Sequence, residues 1–255
     1  MTVESDSFQP VKSADRTLDV LEALADARAP KGLGELARDL RIPKSSLHGI
    51  LRTLVQRGWV EADETGNRFS LGLKALRVGA AYVDRDDTVT RAQPVLDWIS
   101  KELGEAVHLG RLDGSDVVYL AKRESVHPLR LYSAIGRRLP AHATALGKAL
   151  LATHPRDEVE ALLPDELVAL THNTITDRHV LLAELEQSRR VGYATDNEEN
   201  SEGIRCFAVA VSPNLPGPAT DAISVSIPTF RLTDEVVSRA TALLLEVNDR
   251  LLRAS

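Results

Sequence analysis

Apolar positions in the first sixty residues recur with helical spacing in three short bursts. In the run SADRTLDVLEALADA, Leu18, Leu21, Leu24 and Ala25 fall on one face of a helix that Ser13 would cap. Ala29-Pro30-Lys31-Gly32 breaks that helix. A second is expected from Leu33 to Leu40, with Leu33, Leu36, Ala37 and Leu40 as its apolar stripe. After the tight connection Arg41-Ile42-Pro43, a third runs from Lys44 to Arg57, burying Leu47, Ile50, Leu51 and Leu54, and Gly58 ends it. The period then drops to two. Trp59–Ala62 and Arg68–Leu71 read as strands around the turn-forming Asp63-Glu64-Thr65-Gly66-Asn67. Three short helices followed by a hairpin is the arrangement of a winged helix-turn-helix.

Gly72 to Val83 reads as one more helix, with Leu73, Leu76, Ala80 and Val83 at heptad-like spacing. It is too apolar to stand in water, so burial between subunits is expected. Asp84-Arg85-Asp86-Asp87 is a charged break. Beyond it a helix is expected over 91–103, then strands over 105–112 and 116–122 joined by Asp113-Gly114-Ser115, and a strand over 129–134. A loop over Gly136–Pro140 and helices over 144–152, 155–163 and 177–191 follow. Strands over 204–212 and 221–227 flank the loop NLPGPAT, and one long amphipathic helix runs from Thr233, its cap, to Leu252. The pattern predicts an α+β protein: a winged helix-turn-helix over 12–72, a linker helix and boundary over 73–90, and a mixed α/β domain, rich in antiparallel pairing, over 91–255.

Composition narrows the setting. The 255 residues are 43% hydrophobic and 27% charged, the balance of a globular protein, and no stretch is long and apolar enough for a membrane span. The acidic start MTVESDSFQP has no signal-peptide core. Cys206 is the only cysteine, which excludes an intramolecular disulfide and a cysteine-based structural zinc site and suits a reducing cytoplasm. The net charge of −6 is uneven. Residues 1–75 are neutral, yet residues 38–57 hold Arg38, Arg41, Lys44, Arg52 and Arg57 against Asp39 alone, a local +4. Charges beyond about 8–10 Å are screened by salt, so phosphates feel the local value. A solvated helix face would show the same run.

The third helix presents Lys44, Ser45, Ser46, His48, Gly49 and Arg52 opposite its apolar stripe. Lysine and arginine suit phosphate oxygens or guanine edges, serine reaches either, and Gly49 offers only close backbone approach. Arg68 on the wing completes this candidate DNA-binding set. In the second half, parity divides the strand from Ile204 into Ile204, Cys206, Ala208 and Ala210 on one face and Arg205, Phe207, Val209 and Val211 on the other. From Ala222 to Pro228, Ser224 and Ser226 oppose Ile223, Val225 and Ile227. A face with a thiol and two hydroxyls either lines a ligand cleft or lets a helix pack closely. Cys206, His142 and Asp196 are the residue types of a catalytic triad, but the cysteine sits in mid-strand and no GxSxG pattern is present. His108, His127, His154, His172 and His179 show no ligand spacing and read as structural or exposed.

The stretches SADRTLDVLEALADA, LGELARDLRIPKSSLHGILRTLVQRGWVE, RFSLGLKALRVG, RRLPAHATALGKALLA, GYATDNEENSEGIRCFAVAV and DAISVSIP together resemble the IclR family of bacterial transcriptional regulators, over roughly residues 12–253. The resemblance implies a GAF-like effector-binding domain in the second half, and homodimers that often pair into tetramers. It places the effector cleft at Leu131, Leu139, Ala145, Leu146, Asp196, Ile204, Cys206, Ser224 and Ser226. Backbone N–H groups at Ala145 and Leu146 would suit an anionic or carbonyl oxygen, and Asp196 would accept hydrogen bonds, unless it is a surface turn residue. Two positions depart from the family pattern: Gly49, where many relatives carry arginine, and Phe207, where a smaller aliphatic residue is usual. The expected function is a cytoplasmic regulator that binds double-stranded operator DNA under control of a small organic acid or related polar catabolite. It needs no cofactor, metal or membrane. The alternatives are a small-molecule hydrolase using Cys206 and a DNA-binding structural protein without a ligand.

Overall fold

The computed structural model describes residues 9–128, 133–211 and 217–253. Leu131, most of the strand expected over 129–134, and the start of the NLPGPAT loop lie outside the described residues. The chain divides into two compact units after Tyr82.

The first unit holds α1 (Lys12–Ala25), β1 (Lys31–Gly32), α2 (Leu33–Asp39), α3 (Lys44–Gln56), β2 (Val60–Ala62) and β3 (Arg68–Leu71). Its core is Val20, Leu24, Leu36, Ile42, Leu47, Leu51, Leu54, Val60 and Phe69. The apolar phase of α1 differs from the expected one. Val20 and Leu24 are buried, while Leu18 is 58% exposed and Ala25 is also exposed. Residues two apart on a helix point nearly opposite ways, so a stripe centred on Val20 turns Leu18 outward. Ser13 lies inside α1 and the capping position is Val11, which has no side-chain cap. Lys31-Gly32 does more than break the helix. It pairs with β3 as a third strand, Lys31 opposite Phe69 and Gly32 opposite Arg68, in the order β1-β3-β2. Gly32 also starts α2, its N–H donating to Glu35 Oε2 at 2.6 Å.

α4 (Leu73–Asp84) buries none of its residues within the chain. Leu73 is 73% exposed and Leu76 68%. The division between the two units falls within this helix.

The second unit is a six-stranded antiparallel sheet with helices on both faces, in the order β6-β5-β4-β9-β8-β7. Its strands are β4 (Ala106–Asp113), β5 (Asp116–Arg123), β6 (Arg138–Pro140), β7 (Ala194–Asn197), β8 (Ile204–Val211) and β9 (Asp221–Pro228). One face carries Phe207, Val209, Val211, Ile223, Val225 and Ile227 against α5 (Asp87–Leu103), α9 (Asp234–Leu245) and α10 (Val247–Arg253). The other carries Ala208 and Ala222 toward α6 (Ala145–Leu151), and beyond it lie α7 (Arg156–Leu162) and α8 (Arg178–Val191). Small residues on this face let α6 approach closely. A Cβ at Gly147 would fall 2.2 Å from the backbone of Ala141, in the turn just before α6, so glycine is required where that turn folds back on the helix.

Four elements depart from the sequence pattern. α5 starts at Asp87 because the Asp86 carboxylate caps it, accepting from Val89 N–H at 3.0 Å. Arg138–Pro140 is a short strand rather than a loop, pairing Val117 with Leu139, and Ala194–Asn197 is an edge strand that polar residues concealed. The C-terminal helix is broken at Glu246, and Asn248 Nδ2 beyond the break donates to Ala210 O at 3.0 Å. Arg111 on β4 clamps Asp86, at the start of α5, to Asp221 on β9, with contacts of 2.5 and 2.8 Å. Among the described residues no helix is long and apolar enough to cross a membrane.

Candidate functional site

In the first unit, α3 buries Leu47, Leu51 and Leu54 and leaves Lys44, Ser45, His48, Gly49 and Arg52 exposed on the opposite side. Ser46 is half-buried and accepts a hydrogen bond from Arg16 of α1 at 3.3 Å, so its hydroxyl is already engaged. Arg68 is exposed on β3 but is partly committed, donating to the Pro30 carbonyl at 2.9 Å and standing 4.0 Å from Glu35. One guanidinium thereby ties the wing to the loop before α2. A Cβ on Gly49 would meet nothing within 4 Å, so packing does not demand glycine there. The face can offer the Lys44 and Arg52 cations, the Ser45 hydroxyl and an imidazole to an anionic surface.

In the second unit, side chains on the small-residue face of the sheet converge with the start of α6. Register sets them in rows. Asp196 of β7 is opposite Cys206 of β8, which is opposite Ser226 of β9. The next row runs Ala194, Ala208, Ser224 and His108. Between this face and α6 lies a cavity of about 20 Å³, lined by Ala145, Leu146, Asp196, Ile204, Cys206, Ser224 and Ser226 together with Tyr119, Thr144, Asn200 and Ser201. That is room for one water molecule. Leu139 is buried nearby in β6 but does not line the cavity. Tyr119, Thr144, Asn200 and Ser201 escaped the sequence reading. Parity in β5 could place Tyr119 on a face, but only the strand order shows which face that is.

Several polar groups border the cavity, and they are tightly wired. Thr144 caps α6 by accepting from Gly147 N–H at 3.0 Å. Asp196 is buried, which pushes its carboxyl pKa up to about 6 against the opposing effect of N–H bonds from Glu199 and Asn200. The Cys206 thiol donates to Ser226 Oγ at 3.3 Å, and burial pushes its pKa up. Lys148 of α6 is fully buried between Glu199, at 2.7 Å, and Glu184 of α8. This fastens the turn after Asp196 to the helix that forms the opposite wall.

No triad is assembled among the described residues. The His142 ring contacts the Val168 carbonyl at 3.1 Å, and the raised thiol pKa keeps Cys206 protonated at neutral pH. His154 and His172 face Glu158 and Glu202, and His127 stands 3.7 Å from Glu105. His108 is different: it has no exposed surface, its ring stacks on Tyr119 at 4.7 Å, and neither ring nitrogen has a hydrogen-bond partner among the described residues.

Comparison with known proteins covers both units. Residues 13–64 match the family model of the IclR helix-turn-helix domain, and residues 80–252 match that of the bacterial transcriptional regulator IclR C-terminal domain. The chain is 37% identical to the HTH-type transcriptional regulator KdgR of Escherichia coli, over 92% of this chain and 89% of the relative. It is 33% identical to the transcriptional repressor IclR of Escherichia coli, over 92% and 87%. It is 36% identical to the glycerol operon regulatory protein of Streptomyces coelicolor, over 79% of each. Among solved structures, an IclR transcriptional regulator from Alicyclobacillus acidocaldarius has a TM-score of 0.85 at 27% identity, covering 97% of this chain and all (100%) of that one. A transcriptional regulator from Rhodococcus gives 0.79 at 29%, covering 96% and 98%.

Proposed function

This chain belongs to the IclR family and is a DNA-binding transcriptional regulator of that type, and from that premise we propose that a small polar metabolite controls its hold on operator DNA. The observation that carries the proposal is the meeting of Asp196, Cys206, Ser224 and Ser226 with the start of α6 around one small cavity. Catalysis has no comparable support.

In this reading Lys44 and Arg52 contact phosphates or guanine edges, with Ser45 and His48 beside them, and Arg68 contributes through whichever donors Pro30 leaves free. Leu73 and Leu76 of α4 pack against a second copy within the 73–90 linker. The paired recognition helices then lie one helical turn of DNA apart, or a multiple of it. The metabolite enters between α6 and β8–β9, meets Ser224, Ser226 and Asp196, and forces the cavity wider. Arg111 carries that displacement from β4 and β9 to Asp86, the cap of α5 two residues beyond the end of α4. A ligand shifts DNA affinity only by its differential affinity for the two arrangements, and coupling of about 1–3 kcal/mol corresponds to roughly 5–150-fold.

The test is fluorescence anisotropy with DNA from upstream of the protein's own gene, with and without a protein-free small-molecule extract of the cells that carry it. The extract should change affinity for wild type. Ser224→Val with Ser226→Val should bind DNA normally and lose the response. A double variant that responds like wild type places the sensor elsewhere.

A further inference from the structure

We propose that the ligand cavity has a second compartment, behind Tyr119, in which His108 selects ligands that carry a hydroxyl group. This rests on the reading of the cavity as a metabolite site and adds the chemistry by which it discriminates.

His108 sits against two walls of the cavity. It is the register partner of Ser224, and its ring lies flat on that of Tyr119, at 4.7 Å and 21°. Tyr119 and Ser224 both line the cavity. Ser224 is held in mid-sheet between β4 and β8, so the wall assigned to move is the side chain of Tyr119, which packs among the buried apolar residues beside α6. A cavity of about 20 Å³ must enlarge to take any organic ligand, and rotation of Tyr119 enlarges it at the end where His108 stands.

The imidazole is polar, fully buried and, among the described residues, without a hydrogen-bond partner at either nitrogen. Such a group is costly to bury, and a ligand that supplies the missing partner removes the cost. Burial and the nearby Lys122 push its pKa down to about 4, so at neutral pH the ring is uncharged, with one nitrogen donating and the other accepting. A ligand hydroxyl fits either edge. A carboxylate fits only the donor edge, and an ammonium only the acceptor edge. A methylene in the same place leaves the ring as unsatisfied as before. Sites built to bond a hydroxyl discriminate strongly against the analogue that lacks it.

The test is isothermal titration of full-length protein with lactate, glycerate and malate against their hydroxyl-free counterparts propionate and succinate. Wild type should prefer at least one hydroxy acid by about tenfold or more. His108→Phe keeps the stack on Tyr119 and removes the orphaned nitrogens. It should unfold at the same or a higher temperature without ligand and lose the preference. His108→Gln restores a donor and an acceptor and should regain part of it. Absence of a tenfold preference in wild type overturns the inference, as does a preference that survives in His108→Phe. If cell extract still changes DNA affinity and the double serine variant still abolishes that change, only the role of His108 has failed. If the extract has no effect on DNA binding, the metabolite site itself has failed.

Discussion

Lys148 and Glu199 form an ion pair inside the protein, Nζ to Oε1 at 2.7 Å, with 0% and 3% of their side chains exposed. The pair joins the second turn of α6 to the turn after β7, two elements that border the same cavity. Glu199 Oε1 also accepts from Asn197 N–H at 3.0 Å, so the carboxylate shapes the turn it belongs to.

Removing the cation strands a buried carboxylate, which typically costs about 3–5 kcal/mol. Lys148→Met should therefore lower stability by an amount in that range in urea or guanidinium denaturation. Adding Glu199→Gln should recover at least half of the loss, since the amide still accepts from Asn197. Equal stability of the single and double variants would mean the charge pair is not the cause.

Asp196 links stability to pH. Its carboxyl has an ordinary pKa of 3.8 when unfolded and about 6 when buried. Below the lower value both states are protonated and the burial costs nothing. As pH rises between the two values only the unfolded chain ionises, so stability falls. Above the upper value the cost is constant, of the order of 2–3 kcal/mol. Asp196→Asn keeps an acceptor for the Glu199 and Asn200 N–H groups. Its stability advantage over wild type should be near zero at the acid end of this window and full at neutral pH. An advantage independent of pH would sink the assignment.

Gly49 stands exposed in the middle of α3 with empty space where a side chain would start. Gly49→Ala should raise thermal stability by roughly 0.5–1 kcal/mol, the usual gain in a helix interior. Gly49→Arg should fold equally well and alter the order of preferred bases in a binding-site selection. A destabilised alanine variant would show a packing constraint that this surface does not display.

Lys44→Ala and Arg52→Ala should each weaken operator binding. A residue that contacts only phosphate should weaken all sequences alike and reduce the slope of log affinity against log salt by about one. A base contact should instead cost about 1–3 kcal/mol at one position of the site. Unchanged salt slopes in both variants, with no position-specific loss, would remove α3 from the interface.

The apolar side of α4 predicts self-association. Leu73→Glu with Leu76→Glu should leave each unit folded, as judged by circular dichroism, because neither side chain is buried within the chain. In sedimentation the variant should shift toward monomer at micromolar concentration, with a loss of DNA affinity. Wild type that sediments as a monomer at that concentration would contradict the proposal at its root.

Periodicity carried much of the fold. The stripe of α3 and the alternation in β8 and β9 are regular over eight or more residues, long enough for sequence to show which side chains share a face. Short or polar elements were invisible for the same reason. Lys31-Gly32, Arg138–Pro140 and Ala194–Asn197 owe their strand conformation to a partner strand rather than to any pattern of their own. In α1 leucine-based phasing failed because Val20, not Leu18, faces the core. At the candidate site, parity marked Cys206, Ser224 and Ser226. Tyr119 and His108 needed the order β5-β4-β9, and a register shift between Leu109 and Gly110, neither of which local sequence encodes.

The smallness of the cavity sets a tempo. If the cavity is the metabolite site proposed above, a space that holds one water must be opened before a ligand can settle, and arrival is then governed by how often the walls part and not by diffusion alone. If opening costs about 2.8 kcal/mol, only about one molecule in a hundred is receptive at any instant, and apparent affinity falls by the same factor. On the proposed reading, such a sensor answers only a signal that is abundant.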